Sequence, residues 1–284
     1  MKIIDAHVHF SRIQSFRDSA AQSSMVDYSG QGYADESGAH EVKQSVCMGL
    51  IETVPGGFPD IMADTPMTHD LEVSLPPSMS VCLGINPYTL TEKSLYVTEG
   101  IIKSDKRVVG MKIYAGYYHI DITDPKYNPV YDLAEKYDKT IVIHTGDTFS
   151  ERGLLKYSHP LRVDELAVAH PDMRIVACHM GAPWVFDACE VAAKNPNVYI
   201  DISGLLTGNA EYLRRQAANP LFMDRYKQAL VFIDRYDKVM YGTDWPLVSM
   251  GAYIEFCKKL IPEESHENVF YNNAVKVYKL EELL

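Results

Sequence analysis

The chain has 284 residues, 46% of them hydrophobic, with 27 basic against 38 acidic side chains and a formal charge of −11. That length and apolar content suit one sizeable core, and the negative balance argues against a nucleic-acid backbone or an anionic membrane as partner. No apolar run is long enough to span a bilayer, and Asp5, His7 and His9 interrupt the N-terminal run that a secretion signal would need.

MKIIDAHVHF opens the chain. Ile3 and Ile4 begin a strand on which His7 and His9 stand two apart. Side chains on a strand alternate faces, so the two imidazoles project together, about 6–7 Å apart at Cα. That spacing suits two ligands gripping one cation at about 2.0–2.1 Å each. Asp5, on the same face, is the candidate to accept the second N–H of a ligand histidine. A polar strand with filler histidines is the plain alternative for one H-x-H alone.

Residues 11–40, rich in Ser, Gly, Asp and Gln, predict a long loop with at most a short helix. A second strand spans 42–50. PGGFPD breaks it, a short helix is expected within 60–75, and Pro76-Pro77 ends that segment. The third strand, 79–85, is followed by a helix to about 103 with Thr91 as N-cap. The fourth, 108–114 (VVGMKIY), carries Lys112, and a lysine inside an apolar strand is costly unless paired or functional.

Helical spacing at 129–137 leads into a fifth strand, 140–144, which ends on His144. A polar loop at 148–160 holds Arg152, and a helix fills 161–170. The sixth strand, 174–179, ends on His179 before a helix opening at Pro183. The seventh strand is 198–202, with a helical region over 208–236. The eighth, 238–242, runs into Thr243, Asp244, Trp245 and Pro246, and helices near 250–260 and 264–280 close the chain.

Eight apolar strands alternating with amphipathic helices imply a parallel sheet covered by helices, and point to a single-domain α/β protein, a (β/α)8 TIM barrel over residues 1–284. A doubly wound nucleotide-binding sheet is disfavoured, because the first turn is H-x-H and not Gly-rich. In a barrel His7, His9, Lys112, His144, His179 and Asp244 all fall at the C-terminal ends of strands, the usual place of barrel active sites. Four histidines and an aspartate converging there predict a metal centre. The five scattered cysteines (Cys47, Cys82, Cys178, Cys189, Cys257) lack any C-x-x-C and read as reduced, buried thiols, so the expected location is cytoplasmic.

DAHVH, IHTGD, CHMGAPW and YGTDWP together resemble the amidohydrolase superfamily, and within it the amidohydrolase-2 group of metal-dependent hydrolases that includes aminocarboxymuconate-semialdehyde decarboxylase. The resemblance extends to NVFYNNAVKVYKL near the C-terminus. It implies metal ligands at His7, His9, His144 and Asp244, with His179 as a catalytic histidine or a second-metal ligand. Lys112 stands where two-metal members carry a carbamylated, bridging lysine. It is read here first as a plain ammonium holding a substrate carboxylate, with the binuclear role as the alternative.

Imidazoles and a carboxylate suit Zn2+, one ion or two, with Mn2+, Fe2+ or Ni2+ as alternatives. The expected chemistry is hydrolysis of a C–N or C–O bond in a small molecule through a metal-activated water, with Asp244 as general base and His179 orienting the water or stabilising an oxyanion. Non-oxidative decarboxylation of a small carboxylic acid uses the same residues and is the alternative; a barrel that binds without turnover is the remaining one. Arg152, Tyr114, Trp184 and Trp245 are the candidate substrate contacts. The partners expected are a small-molecule substrate and a second copy in a homodimer, with no nucleic acid and no membrane.

Overall fold

A computed structural model describes all 284 residues. Its strands are β1 (Ile3–Val8), β2 (Val42–Met48), β3 (Met79–Ile85), β4 (Val108–Ile113), β5 (Thr140–Ile143), β6 (Ile175–Ala177), β7 (Val198–Asp201) and β8 (Val239–Met240). They form one parallel sheet in sequence order. The ends of the sheet meet: Ala6 N donates to Tyr241 O (3.0 Å), Asp244 N to His7 O (2.9 Å) and His9 N to Trp245 O (2.8 Å). The sheet is therefore a closed barrel. β8 is shorter than its sequence suggested, because beyond Met240 the backbone leaves the ladder of β7 and bonds to β1 instead.

The helices are α1 (Gln14–Ser19), α2 (Gly30–Ala39), α3 (Glu92–Ser104), α4 (Asn128–Lys136), α5 (Leu155–Ser158), α6 (Leu161–Ala169), α7 (Val185–Lys194), α8 (Ala210–Ala217), α9 (Pro220–Ile233), α10 (Met250–Leu260) and α11 (Asn273–Tyr278). Thr91 and Ser94 form a reciprocal capping box that starts α3. Asn219 caps α9 and Pro220 opens it, which divides the expected 208–236 helix in two.

Two expectations about loops need correcting. Residues 11–40 hold α1 and α2, not a long loop. Ser29 caps α2 by accepting from Gly32 N, and buried Tyr33 anchors it, so tertiary burial outweighs the weak periodicity. Conversely, 60–75 contains no helix. Backbone carbonyls there are satisfied by side chains just past β3's end: Asn86 Nδ2 donates to Asp60 O and Ala63 O, and Thr89 Oγ1 to Ala63 O. The polar loop at 148–160 holds only the single turn α5.

The core has two layers. Met111 and Ile113 belong to the large cluster beneath the helices, so Lys112 between them projects into the barrel. Inside, Ile4, Val46, Cys82, Val142, Val176 and Met240 fill the lower half, and Ala274, Val277, Tyr278 and Leu280 plug its base. The C-terminal segment thus closes one end, and the polar residues are left to the other. All five cysteines are buried and unpaired. No helix is long and apolar enough to cross a membrane.

Candidate metal centre and its cavity

A cavity of about 610 Å³ opens at the C-terminal ends of the strands. His7, His9, Lys112, His144, His179 and Asp244 all line it. Phe16, Phe58, Tyr114, Tyr117, Phe149 and Phe222 supply aromatic walls, and Arg225 of α9 stands among the lining residues. Apart from Lys112, Arg225 is the only lysine or arginine there.

His7, His9 and Asp244 bring three ligand atoms within 4.8 Å of one another, and His7, Cys178 and His179 form a second such group. Asp244 Oδ1 lies 3.1 Å from His9 Nε2 and 3.5 Å from His7 Nε2. Neither His7 Nε2 nor Asp244 Oδ1 makes a hydrogen bond, although both are buried. His7 Nδ1 faces Asp201 Oδ2 at 3.1 Å, and an ionised carboxylate can only accept, so the His7 proton sits on Nδ1. A lone pair on Nε2 then confronts a carboxylate oxygen with no donor between them. Two buried acceptors held this way are costly unless a cation joins them. That is the fit expected of a divalent ion.

The same logic fixes the other tautomers. His144, just past β5, sends Nε2–H to Asp147 O (2.8 Å), leaving Nδ1 as an acceptor. Its ring is 4.9 Å from that of His179, but it does not join the tight three-residue cluster. His179 sends Nδ1–H towards Ser203 O (3.1 Å), leaving Nε2 free. His179 (φ 59°) and Asp244 (φ 66°) both occupy the left-handed region, which costs a non-glycine residue about 1–3 kcal/mol and is tolerated mainly at functional sites. Gly204 makes room for both: a Cβ there would lie 2.8 Å from His179 Nδ1 and 2.9 Å from Asp244 Oδ2.

Asp201, at the end of β7, is the organising residue that sequence reasoning missed. Besides His7, its Oδ1 accepts from His179 N (2.9 Å), Ser203 N (3.1 Å) and Ser203 Oγ (2.5 Å). These contacts and the neighbouring imidazoles hold its carboxyl far below the usual range despite burial. Asp5 does not play the part expected of it. The β1–β2 register slips between Asp5 and Val8, and Asp5 accepts from Thr243 N (2.9 Å), Thr243 Oγ1 (2.6 Å) and His7 N (3.2 Å), tying β1 to the β8 loop.

Lys112 is 1% exposed. Its Nζ donates to Cys178 Sγ at 2.9 Å and lies 5.5 Å from the Tyr114 ring, and no carboxylate pairs with it. Tyr114 lines the cavity, its hydroxyl donating to Gly49 O (2.8 Å). The other expected substrate contacts lie elsewhere. Arg152 Nη2 donates to Gly57 O (3.0 Å) and Phe58 O, clasping the β2 loop from outside. Trp184 stacks near His159 (4.7 Å) beyond the lining. Trp245 is fully buried against Phe10, Tyr28 and Tyr33, with Nε1 donating to Glu36 Oε1 (3.2 Å). Its neighbour Asp244 faces the cavity, but the indole turns into the core.

Burial keeps the imidazoles neutral. His7 is pushed down to about 3, His144 well below its ordinary value, and His179 is lowered too, each mainly by burial. Burial pushes Asp5 up to about 7 against the three hydrogen bonds it accepts. At pH 5 the unfolded chain would thus bind about two more protons at His7 and His144 and one fewer at Asp5, with His179 pulling the same way. Stability rises with pH where the unfolded state binds more protons. Metal-free protein is therefore expected to lose stability on the order of 1 kcal/mol per pH unit as pH falls from 6.5 to 5. Urea unfolding of chelator-treated protein across that range measures this; a flat profile would contradict it.

Fold and site define an α/β barrel with a candidate metal centre at its C-terminal mouth. The chain belongs to the amidohydrolase family, whose model matches residues 99–280. Solved structures with the same fold include a 2,6-dihydroxybenzoate decarboxylase from Rhizobium (15% identity, 99% of each chain covered, TM-score 0.66). A dihydroxybenzoic acid decarboxylase from Polaromonas sp. JS666, with bound manganese and the inhibitor 2-nitroresorcinol, is 15% identical over 100% of this chain and 99% of that one (TM-score 0.64). A probable 2-pyrone-4,6-dicarboxylic acid hydrolase from Acinetobacter baumannii, with citric acid bound, is 14% identical over 98% and 100% (TM-score 0.62). At these identities the likeness speaks for the fold. No curated protein matches the sequence.

Proposed function

We propose that this protein is a divalent-metal-dependent, non-oxidative decarboxylase of a small aromatic carboxylic acid. The observation that carries this reading is Lys112, a buried lysine without a carboxylate partner, lining an aromatic-walled cavity beside the His7–His9–Asp244 cluster. Such an ammonium lacks an anion, and a substrate carboxylate would supply one. The decarboxylases among the solved structures of this fold support the order of preference, which reverses the hydrolytic reading that the sequence motifs favoured.

His7, His9 and Asp244 would hold the metal, with His144 and His179 offering their free ring nitrogens beside it. Mn2+ fits the donor set as well as Zn2+ does, and manganese is bound in one of the decarboxylases. When bound, the ion would act as a Lewis acid that draws electron density from the substrate. Lys112 pairs with the carboxylate and fixes its orientation. The aromatic walls stack the ring and exclude water. Loss of CO2 from a carboxylate leaves a carbon that must gain one proton. Asp244 takes up the phenolic proton of the entering substrate and returns it to the carbon, and the phenolate left behind regains a proton from solvent. Arg225 meets any anionic group at the far end of the substrate.

The test is turnover of hydroxybenzoates by manganese-loaded protein in 18O-labelled water. One CO2 released per substrate lost, with no label in the aromatic product, is expected. Hydroxybenzoates left intact while 2-pyrone-4,6-dicarboxylate takes up one labelled oxygen would instead support hydrolysis, the reading that the pyrone-dicarboxylate hydrolase of this fold keeps open.

Asp201→Asn gives a second, activity-independent check. Neutralising the group that orients His7 should weaken metal affinity about 10- to 100-fold. Chelator competition followed by metal analysis measures it; unchanged affinity would remove Asp201 from the centre.

A further inference from the structure

Cys178 directly follows β6 on the inside of the barrel, and its thiol is fully buried. Lys112 reaches it from β4. The Nζ–Sγ separation of 2.9 Å is as short as an ordinary hydrogen bond to oxygen, although sulfur is the larger atom. Lys112 has three donor positions as an ammonium and makes no other hydrogen bond, while the Tyr114 ring covers one side at 5.5 Å. None of the other four cysteines is hydrogen-bonded by a lysine amine. Lys112 also lines the cavity, so a diatomic oxidant entering the mouth meets the amine and then the sulfur behind it.

We propose that Lys112 and Cys178 are a covalent modification site, joined by a single oxygen atom into an Nζ–O–Sγ bridge when the protein is exposed to dioxygen. The balance is one amine, one thiol and one dioxygen giving the bridge and one water. One N–H bond and the S–H bond break, and N–O and O–S bonds form. The second oxygen atom leaves as water with the two hydrogens. Sulfur and nitrogen each give up two electrons, and dioxygen accepts all four; if Lys112 starts as an ammonium, its extra proton goes to solvent. Two molecules of dithiothreitol supply the four hydrogens that reverse the step to amine, thiol and water. The bridge consumes the cation at the cavity wall, so the oxidised protein has no anchor for a carboxylate.

The test is intact mass and peptide mapping of the metal-loaded protein after aerobic and anaerobic purification. The aerobic sample is expected to gain the mass of one oxygen less two hydrogens, with the peptides containing Lys112 and Cys178 linked. Dithiothreitol should remove both signs. Cys178→Ser and Lys112→Arg should each abolish the linked peptide, and circular dichroism identifies any variant that fails to fold. An aerobic sample with unlinked peptides overturns the proposal, whether Cys178 is unmodified or carries only sulfinic acid on its own sulfur. The mass readout does not depend on the decarboxylase reading. If that reading also holds, the bridged sample loses turnover and reduction restores it. If neither sample turns over hydroxybenzoates, the decarboxylase reading fails and the mass result still decides the bridge.

Discussion

Asp244→Asn is expected to abolish turnover, by about 10³-fold or more, and to release the metal. The substitution removes one charge and little volume. Asp244 sits with φ 66°, a conformation that Asn adopts as readily as Asp, so the backbone strain does not grow. What changes is the electrostatics between His7 Nε2, His9 Nε2 and Oδ1. Oδ1 lies 3.5 Å from His7 Nε2 and 3.1 Å from His9 Nε2. An amide oxygen offers a weaker ligand and no proton-carrying oxygen. Without a metal, however, the wild-type cluster is a set of opposed acceptors. An amide N–H in that place can donate to one of the imidazoles, so metal-free Asp244→Asn should unfold no earlier than metal-free wild type. Metal analysis, a decarboxylation assay and thermal unfolding with and without chelator separate these effects. A variant with wild-type turnover would take Asp244 out of the chemistry.

How far the sequence reveals this site depends on whether the informative contact is local. His7 and His9 are readable because two-residue spacing on a strand leaves little freedom. Lys112 is readable because burial of an ammonium is expensive wherever it occurs. The same argument applies to Asp201, an acid that ends the apolar strand VYID. Arg152 misleads for the opposite reason. Its partners are the backbone carbonyls of Gly57 and Phe58, some ninety residues away, and no pattern in either segment records that clasp. Trp245 follows a cavity aspartate but packs against Phe10 and Tyr33, because the turn after β8 sends neighbouring side chains to different layers. Residues 60–75 have no helix, and Asn86 and Thr89 bond the carbonyls of Asp60 and Ala63 there, a solution only a folded chain can offer.

Lys112→Met is expected to separate stability from function. Methionine matches the length of the lysine stem and fills irregular space with little strain. In the wild type the ammonium is buried, with one thiol as its hydrogen-bond partner and no counter-charge. Removing it should raise stability by about 1–3 kcal/mol, in line with what replacing buried charges by apolar groups yields elsewhere. If Lys112 holds the substrate carboxylate, the same change should lower turnover by about 10²–10³-fold, the usual cost of losing one well-placed charged donor. Metal content should stay near that of wild type, because the cluster of His7, His9 and Asp244 does not include Lys112. That last measurement distinguishes the two roles that the sequence left open for this lysine. A lysine that bridges two metals through a carbamate would take metal with it when replaced, whereas an ammonium that binds carboxylate would not. A more stable, fully metallated and inactive variant supports the carboxylate anchor, and a metal-depleted one supports the binuclear centre.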